Sequence, residues 1–170
     1  MRKERNLSNI LRVEDGFLKI ALTVNGRKSQ WKVRPGEYLL DVLRREGYKG
    51  AKKGCETGDC GSCTILLDGK PVLSCLMLAA SAHGREITTI EGLGTPMDPH
   101  PIQKAFVEAG AVQCGFCIPG MILTVKALLD ENPDPGEHEI CHALDGNLCR
   151  CTGYVKQVEA VKLAAKRSRA

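Results

Sequence analysis

The chain has 170 residues, 43% of them hydrophobic and 26% charged, with a formal net charge of +4. This is the profile of a soluble globular protein of one ordinary domain or two small ones. The lysines and arginines are dispersed among acids, which argues against nucleic acid, and no stretch approaches the roughly 20 apolar residues of a membrane span.

Residues 1–16 are charged and without period, and they lack the apolar core of a signal peptide. They read as an N-terminal extension, and the chain reads as cytoplasmic. In that compartment nine cysteines clustered at short spacings point to metal ligation or catalysis rather than to disulfides.

Regular structure is expected from Phe17. Leu18, Ile20, Leu22 and Val24 alternate at period two, Asn25-Gly26 is a hairpin turn, and Arg27 to Val33 returns as a second strand. Tyr38 to Glu46 puts Leu39, Leu40 and Leu43 on one helical face, and Gly47 and Gly50 stop it ahead of a glycine- and cysteine-rich loop from Gly54 to Cys63. A second hairpin follows, Thr64 to Leu67 and Pro71 to Ser74 about Asp68-Gly69, and then a closing strand from Glu86 to Ile90. Past Gly92 the breakers Gly94, Pro96, Pro99 and Pro101 mark a change of character. Pro101–Glu108, Pro119–Leu129, Gly136–Leu144 and Val155–Lys166 read as four helices of a small bundle. The expected fold class is therefore α+β, with a β-rich domain at 17–92 and an all-helical four-helix-bundle domain at 93–170.

Cys55, Cys60 and Cys63 stand as C-x4-C-x2-C, with Cys75 a hairpin further on. That is the opening spacing of a plant-type ferredoxin, whose four thiolates hold a [2Fe-2S] cluster. Gly54, Gly58 and Gly61 let the loop adopt positive φ and bring backbone N–H groups close to sulfur. Structural zinc also takes four thiolates, but from paired knuckles far apart in sequence, and three ligands within nine residues do not fit that plan.

The second set is Cys114 and Cys117 with Cys149 and Cys151. Each pair sits ahead of an expected helix, whose N-terminus favours an anionic group, and Pro119 suits a first helical turn. By spacing alone, C-x2-C with C-x-C is compatible with iron–sulfur or with zinc.

Cys141 lies outside both sets and reads as a buried, inert thiol. His83, His100, His138 and His142 stand apart from the cysteine loops, so a histidine-ligated cluster is not expected. No P-loop, dinucleotide fingerprint or nucleophile constellation is present, so no substrate, flavin or nicotinamide site is visible.

The segments Gly54–Cys63 (G-C-x-x-G-x-C-G-x-C), Gln113–Gly120 (Q-C-G-F-C-x-P-G) and Gly146–Tyr154 (G-N-L-C-R-C-T-G-Y) together resemble the iron–sulfur subunit, or equivalent N-terminal domain, of the xanthine oxidase family of molybdenum hydroxylases. The likeness spans about residues 17–165. It implies a ferredoxin-like (β-grasp) domain whose Cys55, Cys60, Cys63 and Cys75 hold one [2Fe-2S] cluster. It implies a helical domain whose Cys114, Cys117, Cys149 and Cys151 hold the other. It further implies a large molybdopterin-binding subunit next to the helical-domain cluster, with Gln113 and Cys151 approaching the pterin, and an FAD-binding medium subunit near the ferredoxin-like cluster. The alternative for Gln113 is a helix cap or a solvated amide. The function implied is electron relay in a complex that hydroxylates an N-heteroaromatic (xanthine- or nicotinate-like) or aldehyde substrate. A free-standing two-cluster ferredoxin and a zinc-stabilised interaction module are the alternatives.

Overall fold

The computed structural model describes residues 13–168, so residues 1–12 of the expected extension lie outside the described part. Among the described residues there are six strands: β1 Val13–Glu14, β2 Phe17–Val24, β3 Arg27–Val33, β4 Thr64–Leu67, β5 Lys70–Leu73 and β6 Glu86–Thr88. Five helices accompany them: α1 Leu39–Arg45, α2 Pro101–Glu108, α3 Ile118–Glu131, α4 Glu137–Leu144 and α5 Val155–Ser168.

The β2–β3 hairpin forms in the register its alternation demands, with Ile20 opposite Trp31 and Leu18 opposite Val33. Asn25 (φ 50°) and Gly26 (φ 76°) both take positive φ, which is the turn that matches strand twist. On its other edge β2 pairs antiparallel with β1 and, near its end, parallel with β6. β6 pairs antiparallel with β4, and β4 with β5. This mixed sheet buries Leu18, Ile20, Leu22, Val24, Ile65 and Leu67 against Leu39, Leu40, Val42 and Leu43 of α1.

Three details depart from the sequence reading. β1 precedes Phe17, because Asp15-Gly16 makes a further positive-φ turn back onto Phe17 and Leu18. The closing strand ends at Thr88, since the Thr89 N–H that would extend it is taken by Asn25 Oδ1 at 2.8 Å. Ile90 then enters a short 3-10 turn and packs with the helices. β5 ends at Leu73, because Ser74 turns inward and its hydroxyl donates to the Cys63 carbonyl at 2.7 Å.

The helices surround a second core built on Ile102, Phe106, Met121, Val125, Ile140, Leu144 and Val161. α5 presents Ala160, Ala164 and Ala165 to it, small residues that allow close packing against α2. α2 starts at Pro101, with His100 as its cap. α3 lies against β4, so all four residues of that strand are buried, Ile65 and Leu67 in the first core and Thr64 and Leu66 on the opposite face. No helix among the described residues is long and apolar enough to cross a membrane.

Candidate functional site

The loop between α1 and β4 carries Cys55, Cys60 and Cys63, while Cys75 arrives on the 3-10 turn Ser74–Leu76. Gly58 (φ 92°) and Gly61 (φ 67°) take conformations that side chains resist. A Cβ on Gly54 would stand 2.8 Å from Cys60 Sγ, so the chain wraps the sulfurs closely. The Cys60 N–H points at Cys55 Sγ from 3.4 Å. The Thr57 hydroxyl and amide, with the Cys60 amide, draw the Cys55 thiol down to about 5. Burial pushes the Cys75 thiol up to about 12, and its neighbour Cys63 adds to the rise.

The second set lies at the edge of the bundle. Cys117 caps α3, and Cys114 precedes it on an exposed turn. Cys149 and Cys151 come from the loop between α4 and α5. Cys151 Sγ lies 3.6 Å from Cys114 Sγ. Two thiolates about 2.3 Å from one tetrahedral metal stand about 3.8 Å apart, so this pair already has the separation of two ligands on one ion. Burial pushes Cys117 up to about 12, with Cys149 adding to it. Burial also acts upward on Cys149, but hydrogen bonds led by the Thr152 hydroxyl outweigh it and bring that thiol to about 7.

In both sets the thiols act on one another in twos: Cys60 on Cys55, Cys63 on Cys75 and Cys149 on Cys117, while Cys114 Sγ lies beside Cys151 Sγ. Among the described residues no three His, Cys, Asp or Glu side chains converge on one metal position. A [2Fe-2S] cluster asks each iron for two protein thiolates, whereas structural zinc gathers four at one point. The donor set and its pairing fit two such clusters. A cavity of about 210 Å³ lined by Cys114, Cys117, Cys149 and Cys151 together with Phe116 and Leu148 adjoins the second set.

The two loops are joined. The Leu148 N–H donates to the Cys60 carbonyl at 2.9 Å. Asn147 is buried; its amide donates to the Gly61 carbonyl at 3.1 Å and accepts from the Thr124 hydroxyl of α3 at 2.8 Å. Close approach requires glycine on both sides, since a Cβ on Gly61 would lie 2.0 Å from the Gly146 oxygen and one on Gly120 would lie 2.5 Å from the Gly61 oxygen. Tyr154, itself at φ 69°, holds the second loop shut, accepting from the Cys149 N–H at 2.8 Å and donating to the Asn147 carbonyl at 3.2 Å.

Gln113 is exposed beside Cys114 and is not a helix cap, because α3 is capped by Cys117. Cys141 departs from expectation. It is exposed, because α4 turns Ile140 and Leu144 to the core and leaves the next position to solvent. The histidines serve elsewhere: His83 Nδ1 accepts from the Ala21 N–H, His100 caps α2, and His138 and His142 are exposed on α4. Asn147, Thr152 and Tyr154 are site residues that spacing alone did not single out. Their signal in the sequence is their place in the segment G-N-L-C-R-C-T-G-Y at Gly146–Tyr154.

Comparison with known proteins gives two adjoining matches: a 2Fe-2S iron–sulfur cluster binding domain over residues 22–86 and a [2Fe-2S] binding domain over 89–162. The chain is 50% identical to the nicotinate dehydrogenase small FeS subunit of Eubacterium barkeri over 151 residues, 88% of this chain and 96% of that one. It is 44% identical to the xanthine dehydrogenase iron–sulfur-binding subunit of Escherichia coli O157:H7, covering 85% of this chain and 92% of that one. Among solved structures, quinoline 2-oxidoreductase from Pseudomonas putida 86 superposes with a TM-score of 0.88 at 43% identity, over 91% of this chain and 98% of that chain. The aldehyde oxidoreductase of Desulfovibrio gigas superposes with a TM-score of 0.86 at 45% identity, over 89% of this chain and 17% of that longer one.

Proposed function

This chain belongs to the iron–sulfur subunits of the xanthine oxidase family of molybdenum hydroxylases, and we propose that it relays single electrons between a molybdopterin centre and a flavin held by partner chains. When bound, a [2Fe-2S] cluster accepts and releases one electron at a time. Cys55, Cys60, Cys63 and Cys75 hold one cluster, and Cys114, Cys117, Cys149 and Cys151 hold the other. The observation that carries this reading is the gathering of eight cysteines from four segments of the chain into two sets of four, each set with thiols that act on one another in twos. The chain's own residues place the centres, keep Cys63, Cys75 and Cys117 from water, and aim an N–H donor at Cys55 and a hydroxyl at Cys149.

The large molybdopterin-binding subunit docks on the helical edge, where Gln113, Cys114 and Cys151 are exposed among Phe116 and Leu148. Gln113 and Cys151 face the pterin there. The FAD-binding medium subunit covers the opposite rim, where Tyr38, Leu76 and Leu78 are exposed beside Cys75. The domain limits 17–92 and 93–170 and a cytoplasmic location belong to the same reading. The substrate is an N-heteroaromatic compound of the nicotinate or xanthine type, which the names of the relatives favour over an aldehyde.

The test is stopped-flow reduction of the assembled complex carrying Gln113→Ala, with metal and flavin analysis. Slower reduction from the substrate side, with dithionite reduction unchanged and both clusters intact, is the expected result. Equal slowing from both sides, or a complex without molybdenum and flavin partners, overturns it.

A further inference from the structure

We propose that the Thr152 hydroxyl raises the reduction potential of the helical-domain cluster by donating a hydrogen bond to the Cys149 sulfur. The inference rests on the reading of Cys149 as an iron ligand. Thr152 Oγ1 stands 3.1 Å from Cys149 Sγ, within reach of a hydrogen bond that either free group could donate. A cysteine that has given up its proton to bind iron can only accept, so the hydroxyl proton must be the one directed at sulfur. No bond forms or breaks, and the hydroxyl keeps its proton. Reduction adds one electron, supplied by the substrate through the partner subunit, and so adds negative charge to the centre. A donor at a ligand sulfur gains strength as that charge rises, so it favours the reduced form.

The contact belongs to a built loop. Tyr154 pins the Cys149 N–H and the Asn147 carbonyl with one phenol, and Asn147 is anchored to Gly61 and Thr124. The main chain at Cys149 therefore cannot move away from Thr152 without breaking these bonds. Thr152 is half-buried, which limits competition from water. The hydroxyl acts beside the main-chain N–H groups of Cys151 and Thr152, which also favour the Cys149 thiolate.

The measurement is a potentiometric titration of the full iron-loaded chain followed by paramagnetic resonance, with iron counted per chain and the two signals assigned from Cys60→Ser and Cys149→Ser. Thr152→Val is expected to keep its iron and to lower the midpoint of the helical-domain signal alone, and Thr152→Ser to restore it. Full iron with an unmoved midpoint in Thr152→Val overturns the inference and leaves the ligand reading standing. Should Thr152→Val shed the cluster, Thr152→Ala is read by the same criterion. Loss of iron there as well makes Thr152 a scaffold residue and overturns the inference. Retention of both signals in Cys149→Ser overturns the ligand reading itself, a failure visible with Thr152 untouched.

Discussion

The buried side chain of Asn147 donates to the carbonyl of Gly61 at 3.1 Å, which ties the loop of one cysteine set to the loop of the other. The same side chain receives the Thr124 hydroxyl, which its removal strands, whereas the Gly61 carbonyl keeps the amide and the hydroxyl of Thr64. Asn147→Ala is expected to destabilise the chain by about 1–3 kcal/mol, the cost of the hydroxyl left unpaired. Chemical denaturation with the slope held constant measures this, and an unchanged midpoint would show that water replaces the amide at no cost.

Gly61→Ala should be far worse than Gly69→Ala. Both glycines have positive φ, 67° and 78°, and share a backbone strain of about 1–2 kcal/mol. Only at Gly61 would the new Cβ meet backbone, 2.0 Å from the Gly146 oxygen, whereas Gly69 has open space at a hairpin tip. Limited proteolysis should cut Gly61→Ala near residues 146–148 and spare Gly69→Ala. Equal protection of the two would mean the loops are not pressed together.

Cys60→Ser and Cys149→Ser are each expected to lose about half of the iron, about two of roughly four atoms per chain, and one of two paramagnetic signals. Each should also weaken its own domain, because ligation contributes to folding. Cys141→Ser should keep all the iron, its side chain being exposed on α4. Iron loss in Cys141→Ser would put that residue among the ligands.

Stability should depend on pH through His100. Burial, with Lys126 adding to it and Asp130 opposing, holds this imidazole below its ordinary value. The unfolded chain therefore binds the proton first. The stabilisation is complete above about pH 6.5 and is lost as pH falls through the lower folded value. Protonation also removes the Nδ1 acceptor that caps the Ile102 N–H. Melting curves above and below this range should show a larger acid loss in the parent than in His100→Asn, which caps without titrating. Parallel losses would acquit His100.

Much of this architecture was legible where one residue type answers one local demand. The alternation of Leu18, Ile20, Leu22 and Val24 and the turn Asn25-Gly26 gave a hairpin in register, and the cysteine spacing with its glycines marked both loops. What stayed hidden depends on partners distant in sequence. Thr64 and Leu66 are buried only because α3 covers the second face of β4, and no alternation within four residues reports that. Cys141 was misjudged because apolar neighbours in sequence are not neighbours on a helix, where Ile140 and Leu144 define the stripe. Asn147 suits a turn, a cap or a buried amide, and its role appears only once Gly61 is beside it.

Leu148 divides its labour between two audiences. Its N–H is committed to the Cys60 carbonyl, while the residue is 53% exposed and lines the cavity beside the second cysteine set. Joining the loops thus asks nothing of side-chain identity at this position, and the exposed surface here is free to drift. A lineage can re-tailor this edge to a new neighbour by point substitution while the inner connection is inherited intact. Leu148→Lys should accordingly alter subunit assembly and leave the iron content and spectra of the chain as they were.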